Sequence, residues 1–234
     1  MTVSLKKGLR RRLRKAHEPL ATPRHRFLAH VDRLGFDLGI VRALRPNLHQ
    51  IADGVFRSAQ PSPWLLKRLS RDGLRTVVNL RGADTGGAYR LEADAAHSLG
   101  LRLIDLRMKS RDIPDADTLD ALGAIFLSAE KPLLFHCKSG ADRAGLAAAY
   151  YLMLVEHRPA AEALSQLNWR YGHIRQGMPG ILTTFLEAYR DEGEPQGLGL
   201  VTWRREHCDP DAIRRRFKPA PLARLLTDGL LRRE

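Results

Sequence analysis

The sequence predicts an α/β domain with a mostly parallel central sheet covered by helices. Three observations carry that expectation. Short β-prone segments alternate with longer segments whose apolar residues recur at helical spacing. Glycine and proline punctuate nearly every changeover. A hydrophobic fraction of 44% over 234 residues is enough for a real core, which excludes wholesale disorder.

The elements follow in order. Val55 to Ala59 alternates and stops at Pro61, which predicts a short strand. Ser62 to Arg71, with Trp64, Leu65, Leu66 and Leu69, predicts an amphipathic helix closed by Gly73. Arg75 to Leu80 holds the β-prone Thr76, Val77 and Val78 and predicts a buried strand. A glycine-rich loop, Gly82 to Gly87, leads into a helix from about Tyr89 to Ser98 that Gly100 ends. Leu101 to Leu106 alternates again. Pro114 and Asp115 introduce a helix reaching about Glu130, and Pro132 to Phe135 is a compact apolar strand. Beyond Gly140, Leu146, Ala149, Tyr150 and Met153 share one helical face. A further helix is predicted from Pro159 through Leu167, and another from Gly180 to Tyr189. From Glu194 the pattern fades into a Gly, Pro and Arg-rich tail. The chain thus divides into a basic arm and lead-in (1–46), a main domain (47–193) and a basic C-terminal extension (194–234).

The net charge of +13 favours anionic partners. Much of it is local, because nine lysines and arginines between Met1 and Arg26 face one acid, Glu18. Such a block reads as a solvated arm or as an attachment to an anionic membrane surface. Nucleic acid is not expected, since no aromatic residues are interleaved to make a stacking platform. No stretch is long and apolar enough to span a bilayer, and no h-region of a signal peptide is visible. Two cysteines, Cys137 and Cys208, imply no disulfide framework and suit a reducing cytoplasm.

The chemistry concentrates in one run. The strand Pro132 to Phe135 leads straight into His136-Cys137-Lys138-Ser139-Gly140-Ala141-Asp142-Arg143-Ala144-Gly145. A cysteine at a strand end, a glycine permitting a tight path and an arginine opening a helix make an anion cradle. Successive N–H groups from Lys138 to Arg143 can surround a phosphate dianion, aided by the positive end of the helix. Arg143 can clamp two oxygens bidentately while Cys137 lies below phosphorus. The same field favours thiolate over thiol, so Cys137 can attack phosphorus and form a phosphocysteine that water hydrolyses. His136 is expected to hold the loop by a hydrogen bond rather than to act as base. This spacing of His, Cys, Gly and Arg arises by chance about once in a thousand such sequences. His207 to Arg214 also sets a cysteine and an arginine apart by the same interval, but it lacks the glycine. There Pro210 removes a donor, and Asp209 and Asp211 repel phosphate.

His136 to Arg143 resembles the signature loop of the cysteine-dependent protein-tyrosine and dual-specificity phosphatases. Phe56-Arg57-Ser58-Ala59-Gln60-Pro61 and Val77-Val78-Asn79-Leu80-Arg81 resemble segments of the atypical bacterial and fungal dual-specificity members. The resemblance covers roughly Leu48 to Arg190. It implies a sheet flanked by helices on both faces and a metal-independent phosphomonoester hydrolase with no cofactor. Low-molecular-weight phosphatases, whose loop lies at the N-terminus, are not matched. Rhodanese-like and arsenate-reductase-like proteins share cysteine and arginine loops, but the glycine three residues after the cysteine favours the phosphatases.

Two departures from the family stand out. Ala144 replaces the usual Ser or Thr after the loop arginine, which would slow breakdown of phosphocysteine. The general acid is also left open. Asp112, in the loop Arg107 to Asp115, and Asp142, within the cradle, are equal candidates. Asp115 and Asp117 read better as caps or first-turn residues of the next helix, and Asp105 as a strand residue. The expected substrates are phosphorylated proteins or small phosphomonoesters. Inositol phosphates, phosphoinositides or nucleotides are alternatives, as is a phosphate-recognising module with weak turnover.

Overall fold

The computed structural model describes residues 46–84 and 86–220. Five strands form one sheet: β1 His49–Ala52, β2 Val55–Ala59, β3 Thr76–Asn79, β4 Arg102–Asp105 and β5 Leu133–Cys137. Their order is β1-β2-β5-β3-β4. β1 and β2 are antiparallel, and every other pairing is parallel. The expected mostly parallel sheet is therefore present, with β5 inserted between β2 and β3.

Strand side chains alternate between faces, and this divides the core in two. Val77 and Leu134, paired across β3 and β5, join one cluster. It is covered by α1 Pro63–Arg71, through Leu65, Leu66 and Leu69, and by α2 Gly87–Ser98, through Ala96. Val78 and Phe135, the next pair, join the other cluster. It is covered by α3 Ala116–Ser128, α4 Arg143–Leu154 and α6 Ile181–Ala188. Local chemistry fixes the helix starts. Ser62 Oγ accepts from Leu65 N at 3.1 Å with Pro63 at the first helical position, and Asp115 Oδ1 accepts from Thr118 N at 2.7 Å. Asp115 is thus a cap, as its position suggested.

Five elements depart from the sequence reading. β1 was not visible, being four residues without clean alternation; the Asp53-Gly54 turn that joins it to β2 was its only signal. α4 buries every residue from Arg143 to Leu152 rather than one face, since it lies between the sheet and other helices. The helix expected from Pro159 through Leu167 is one turn, α5 Ala160–Ala163, followed by a 3-10 turn at Leu164–Gln166.

The largest departure follows Glu194. In place of a featureless tail come α7 Leu200–Glu206 and α8 Pro210–Arg216, each seven residues long and too short to show a period. Leu200, Trp203 and Ile213 belong to the second core cluster. Trp203 is 1% exposed, with ring centroids 5.6 Å from Phe185 and 5.5 Å from Tyr189. A π-helical turn, Tyr189–Gly193, admits it: a Cβ on Gly193 would lie 2.6 Å from Trp203 Cγ. The basic arm before residue 46 lies outside the described residues.

Candidate active site

β5 ends at Cys137, which pairs with Ala59 at the end of β2, while His136 pairs with Asn79 at the end of β3. The cysteine therefore stands at the C-terminal edge of the central strand and is 2% exposed. From there the chain turns through Gly140, with φ +74°, and enters α4 at Arg143. Only glycine fits that turn, because a Cβ would fall 2.6 Å from Ala59 N.

The direction of the loop's peptides follows from what its carbonyls touch. Lys138 O accepts from Gln60 N at 3.4 Å, and Ser139 O from Asn47 Nδ2 at 3.0 Å. Gly140 O accepts from Arg57 Nη2 at 2.8 Å. Ala141 O accepts from the same Nη2 and from Gly145 N, both at 3.1 Å. In a trans peptide the carbonyl and the following N–H point in opposite directions. Carbonyls turned onto the scaffold therefore turn the N–H groups of Ser139, Gly140, Ala141 and Asp142 the other way, into the loop. That concavity, with Arg143 at the helix start, suits a tetrahedral anion.

Arg57 is the residue that sequence reasoning passed over. It is fully buried in β2, where alternation with Val55 and Ala59 would call for an apolar side chain. Besides the two loop carbonyls, its Nη1 donates to Gln166 O at 2.8 Å and Gln166 Oε1 at 2.9 Å, and its guanidinium lies 4.2 Å from the Tyr171 ring centroid. Burial lowers its pKa to about 10, against the opposing pull of Cys137, Tyr171 and Asp142, so it stays charged at neutral pH. A charge at an inward strand position was the signal that could have found it. Asn47 ties the same loop to Tyr171 O at 2.9 Å, and nothing in its local sequence announced this.

The two candidate acids sit differently. Asp142 is 3% exposed and adjoins Arg143; its Oδ1 meets His173 Nδ1 at 2.8 Å, and His173 Nε2 meets Thr183 Oγ1 at 2.9 Å. His173, itself buried, was not anticipated. Asp112 is drawn away by α8. Its Oδ1 accepts from Arg214 Nε at 3.0 Å and Nη2 at 2.9 Å and from Ile113 N at 2.9 Å, and Lys109 lies 3.4 Å from Oδ2. Burial pushes the Asp112 carboxyl up, but these donors outweigh it and the net shift is downward. The loop carrying Asp112 does touch the site, through Met108 O at 3.4 Å from Arg143 Nη1. Asp105 is occupied by Asn79 Nδ2 at 2.8 Å and the Tyr89 hydroxyl at 2.6 Å.

Cys208 has no comparable surroundings. Burial raises its thiol pKa, and the first amides of α8 are already taken by Asp209 Oδ1, which accepts from Asp211 N and Ala212 N. Among the described residues no cluster of three or more His, Cys, Asp or Glu could hold a metal ion.

A family model described as PTP-NADK, a DSP-PTPase phosphatase fused to NAD+ kinase, matches residues 46–176. The chain belongs to this DSP-PTPase family. The matched span of the DSP-PTPase domain runs from β1 past the loop to the Asn168–His173 turn. The dual specificity protein phosphatase TpbA of Pseudomonas aeruginosa is 30% identical over 123 residues, 52% of this chain and 53% of that protein. The chain thus spans about half the length of the curated relatives it matches. The core catalytic domain of the PP-IP phosphatase Siw14 from S. cerevisiae superposes with a TM-score of 0.51 at 19% identity, covering 64% of this chain and 89% of that one. This likeness establishes a shared fold. The crystal structure of P. aeruginosa TpbA gives a TM-score of 0.47 at 22% identity, over 73% of this chain and 89% of that one.

Proposed function

We propose that this DSP-PTPase domain hydrolyses phosphomonoesters through a phosphocysteine intermediate, acting on phosphorylated protein or a small phosphomonoester. The observation that carries the reading is the loop itself: Cys137 at the end of a buried strand, four amides turned inward by outward-bound carbonyls, and Arg143 at the helix start. The relative named a dual specificity protein phosphatase supports a phosphoprotein substrate.

The steps follow from the groups present. Phosphate oxygens take the inward N–H groups and the Arg143 fork, which leaves the phosphorus over Cys137 Sγ. The thiolate forms the P–S bond as the P–O bond to the leaving group breaks, and the acid gives its proton to the departing oxygen. Water then forms a new P–O bond, losing a proton to the carboxylate left by that acid, and the sulfur leaves as thiolate. Ala144, fully buried, offers no hydroxyl to assist that second step. Of the two acids, the geometry favours Asp142. Asp142 adjoins Arg143 within the loop, whereas the Asp112 carboxyl is turned onto Arg214 and Lys109.

Both cysteines are free thiols, which suits a reducing cytoplasm. No described helix is long and apolar enough to cross a membrane. The basic arm is proposed to add a peripheral contact with anionic lipid. The deciding experiment is hydrolysis of p-nitrophenyl phosphate by the full chain with chelator present. Turnover that Cys137→Ser abolishes supports the reading, and turnover that survives this substitution overturns it.

A further inference from the structure

We infer that His173 is a positioning residue for the phosphate cradle: it holds the Asp142 carboxyl off the amides that open α4, so that these stay available to the anion. The inference rests on the reading of the 137–143 loop given above. An aspartate at the start of a helix ordinarily turns its side chain onto the second or third amide of that helix. Asp142 occupies this place and makes no such bond, and its backbone, at φ −88° and ψ −69°, is not the extended form that caps adopt. Its Oδ1 meets His173 Nδ1 at 2.8 Å instead. Both residues are buried.

The histidine is itself fixed at three points. Its Nε2 meets Thr183 Oγ1, on α6, at 2.9 Å. Its backbone N–H donates to Asn168 O at 3.1 Å, closing the turn that carries Tyr171. Two residues on, the Arg175 carbonyl packs so closely on Gly180 that a Cβ there would fall 1.7 Å from the oxygen. As a carboxylate Asp142 can only accept, so Nδ1 then carries the ring proton and the Thr183 hydroxyl donates to Nε2. The carboxyl is thus tethered from α6 rather than from its own helix.

What the tether protects is the helix start. Asp142 O accepts from Leu146 N at 2.9 Å along α4, which points the Arg143 N–H back at the loop. Gly145 N is already engaged by Ala141 O at 3.1 Å. A released Asp142 carboxylate would have as donors the Arg143 and Ala144 amides and the Arg143 guanidinium, the same groups that hold a phosphate. It would compete with the anion for them and repel it as well. His173 therefore acts on phosphate affinity through Asp142.

The test is calorimetric titration of inorganic phosphate into the full chain near neutral pH. His173→Leu, close in volume but unable to hold the carboxyl, should weaken phosphate about fivefold or more, the size of a helix-capping interaction. The same substitution in an Asp142→Ala chain should change phosphate affinity by less than about twofold, because no carboxyl remains to be released. A merely structural histidine would weaken phosphate alike in both backgrounds, and that result overturns the inference. So does unchanged affinity of His173→Leu in a chain that unfolds cooperatively in urea. His173→Asn, whose amide can place an N–H near the position of Nδ1, should recover most of the loss. Losing a buried histidine can prevent folding, so the wild type is also read directly. In nitrogen-15 spectra a ring N–H of His173 should be protected from exchange with solvent, with and without phosphate. A freely exchanging ring is not holding the carboxyl and overturns the inference. Neither readout needs turnover. A wild type that binds no phosphate would sink the reading of the loop and this inference with it, whereas phosphate binding that ignores His173 would sink the role of His173 alone.

Discussion

Arg57 Nη2 reaches the Gly140 carbonyl at 2.8 Å from the neighbouring strand, so a buried charge holds the 137–143 loop from beneath. The guanidinium serves two loop carbonyls and both acceptors of Gln166 at once. Arg57→Lys keeps a charge but loses the planar fork. Two charge-assisted bonds lost from the loop, at about 1.5 kcal/mol each, should lower kcat/KM for p-nitrophenyl phosphate about 100-fold. Inhibition by inorganic phosphate should weaken alongside, because the inward amides lose their alignment. Unchanged phosphate inhibition in this variant would show that the loop holds its shape without Arg57.

The two cysteines should separate cleanly. Cys137→Ser should abolish turnover and still bind phosphate, since the amides and Arg143 remain. Cys208→Ser should leave activity within about twofold, as its thiol is held up by burial and Asp209 occupies the nearby amides. Calorimetric titration of phosphate into both variants, beside the activity assay, checks this pair of outcomes.

The general acid is read from leaving groups. Protonation matters most when the departing oxygen is basic. Asp142→Asn should slow phenyl phosphate by about 100-fold or more and p-nitrophenyl phosphate far less, with loss of the basic limb of the pH profile. Asp112→Asn should show little such selectivity. The opposite pattern would mean that the 107–115 loop leaves Arg214 during catalysis and that Asp112 is the donor.

Asp112 also predicts a pH dependence of stability. Its folded pKa is depressed, so the unfolded chain takes up a proton first as acid is added. The stabilisation from Arg214 is complete above the ordinary carboxylate value of about 3.9 and is lost as pH falls from there through the folded value. Urea midpoints of the wild type and Asp112→Asn should therefore differ at pH 6, and the gap should narrow as pH falls below the ordinary carboxylate value. A gap that widens on acidification would contradict the sign.

Trp203 tests whether the segment after Glu194 is part of the folded core. Trp203→Ala removes a fully buried aromatic packed against Phe185 and Tyr189 and should cost about 3–5 kcal/mol, read from urea unfolding. A cost near zero would mean that α7 docks without contributing to stability.

Short-range features of this protein were written in its local sequence. Strand alternation, the cap Asp115, and the glycine that Gly140 must be are properties of a few neighbouring residues, and they appear where the pattern put them. The run from His136 to Arg143 was legible for the same reason: a strand end, a tight turn and a helix start are contiguous in the chain. Tertiary structure decided everything that depends on who lies next to whom. β5 enters between β2 and β3, and only this order brings Arg57 under the loop, Glu92 onto His136 and His173 onto Asp142. α8, too short to reveal a period, takes Asp112 with Arg214, some hundred positions away in sequence. A single sequence carries no trace of such partners, because burial makes a charged side chain's meaning depend on the opposite charge it meets, and that neighbour is supplied by the fold.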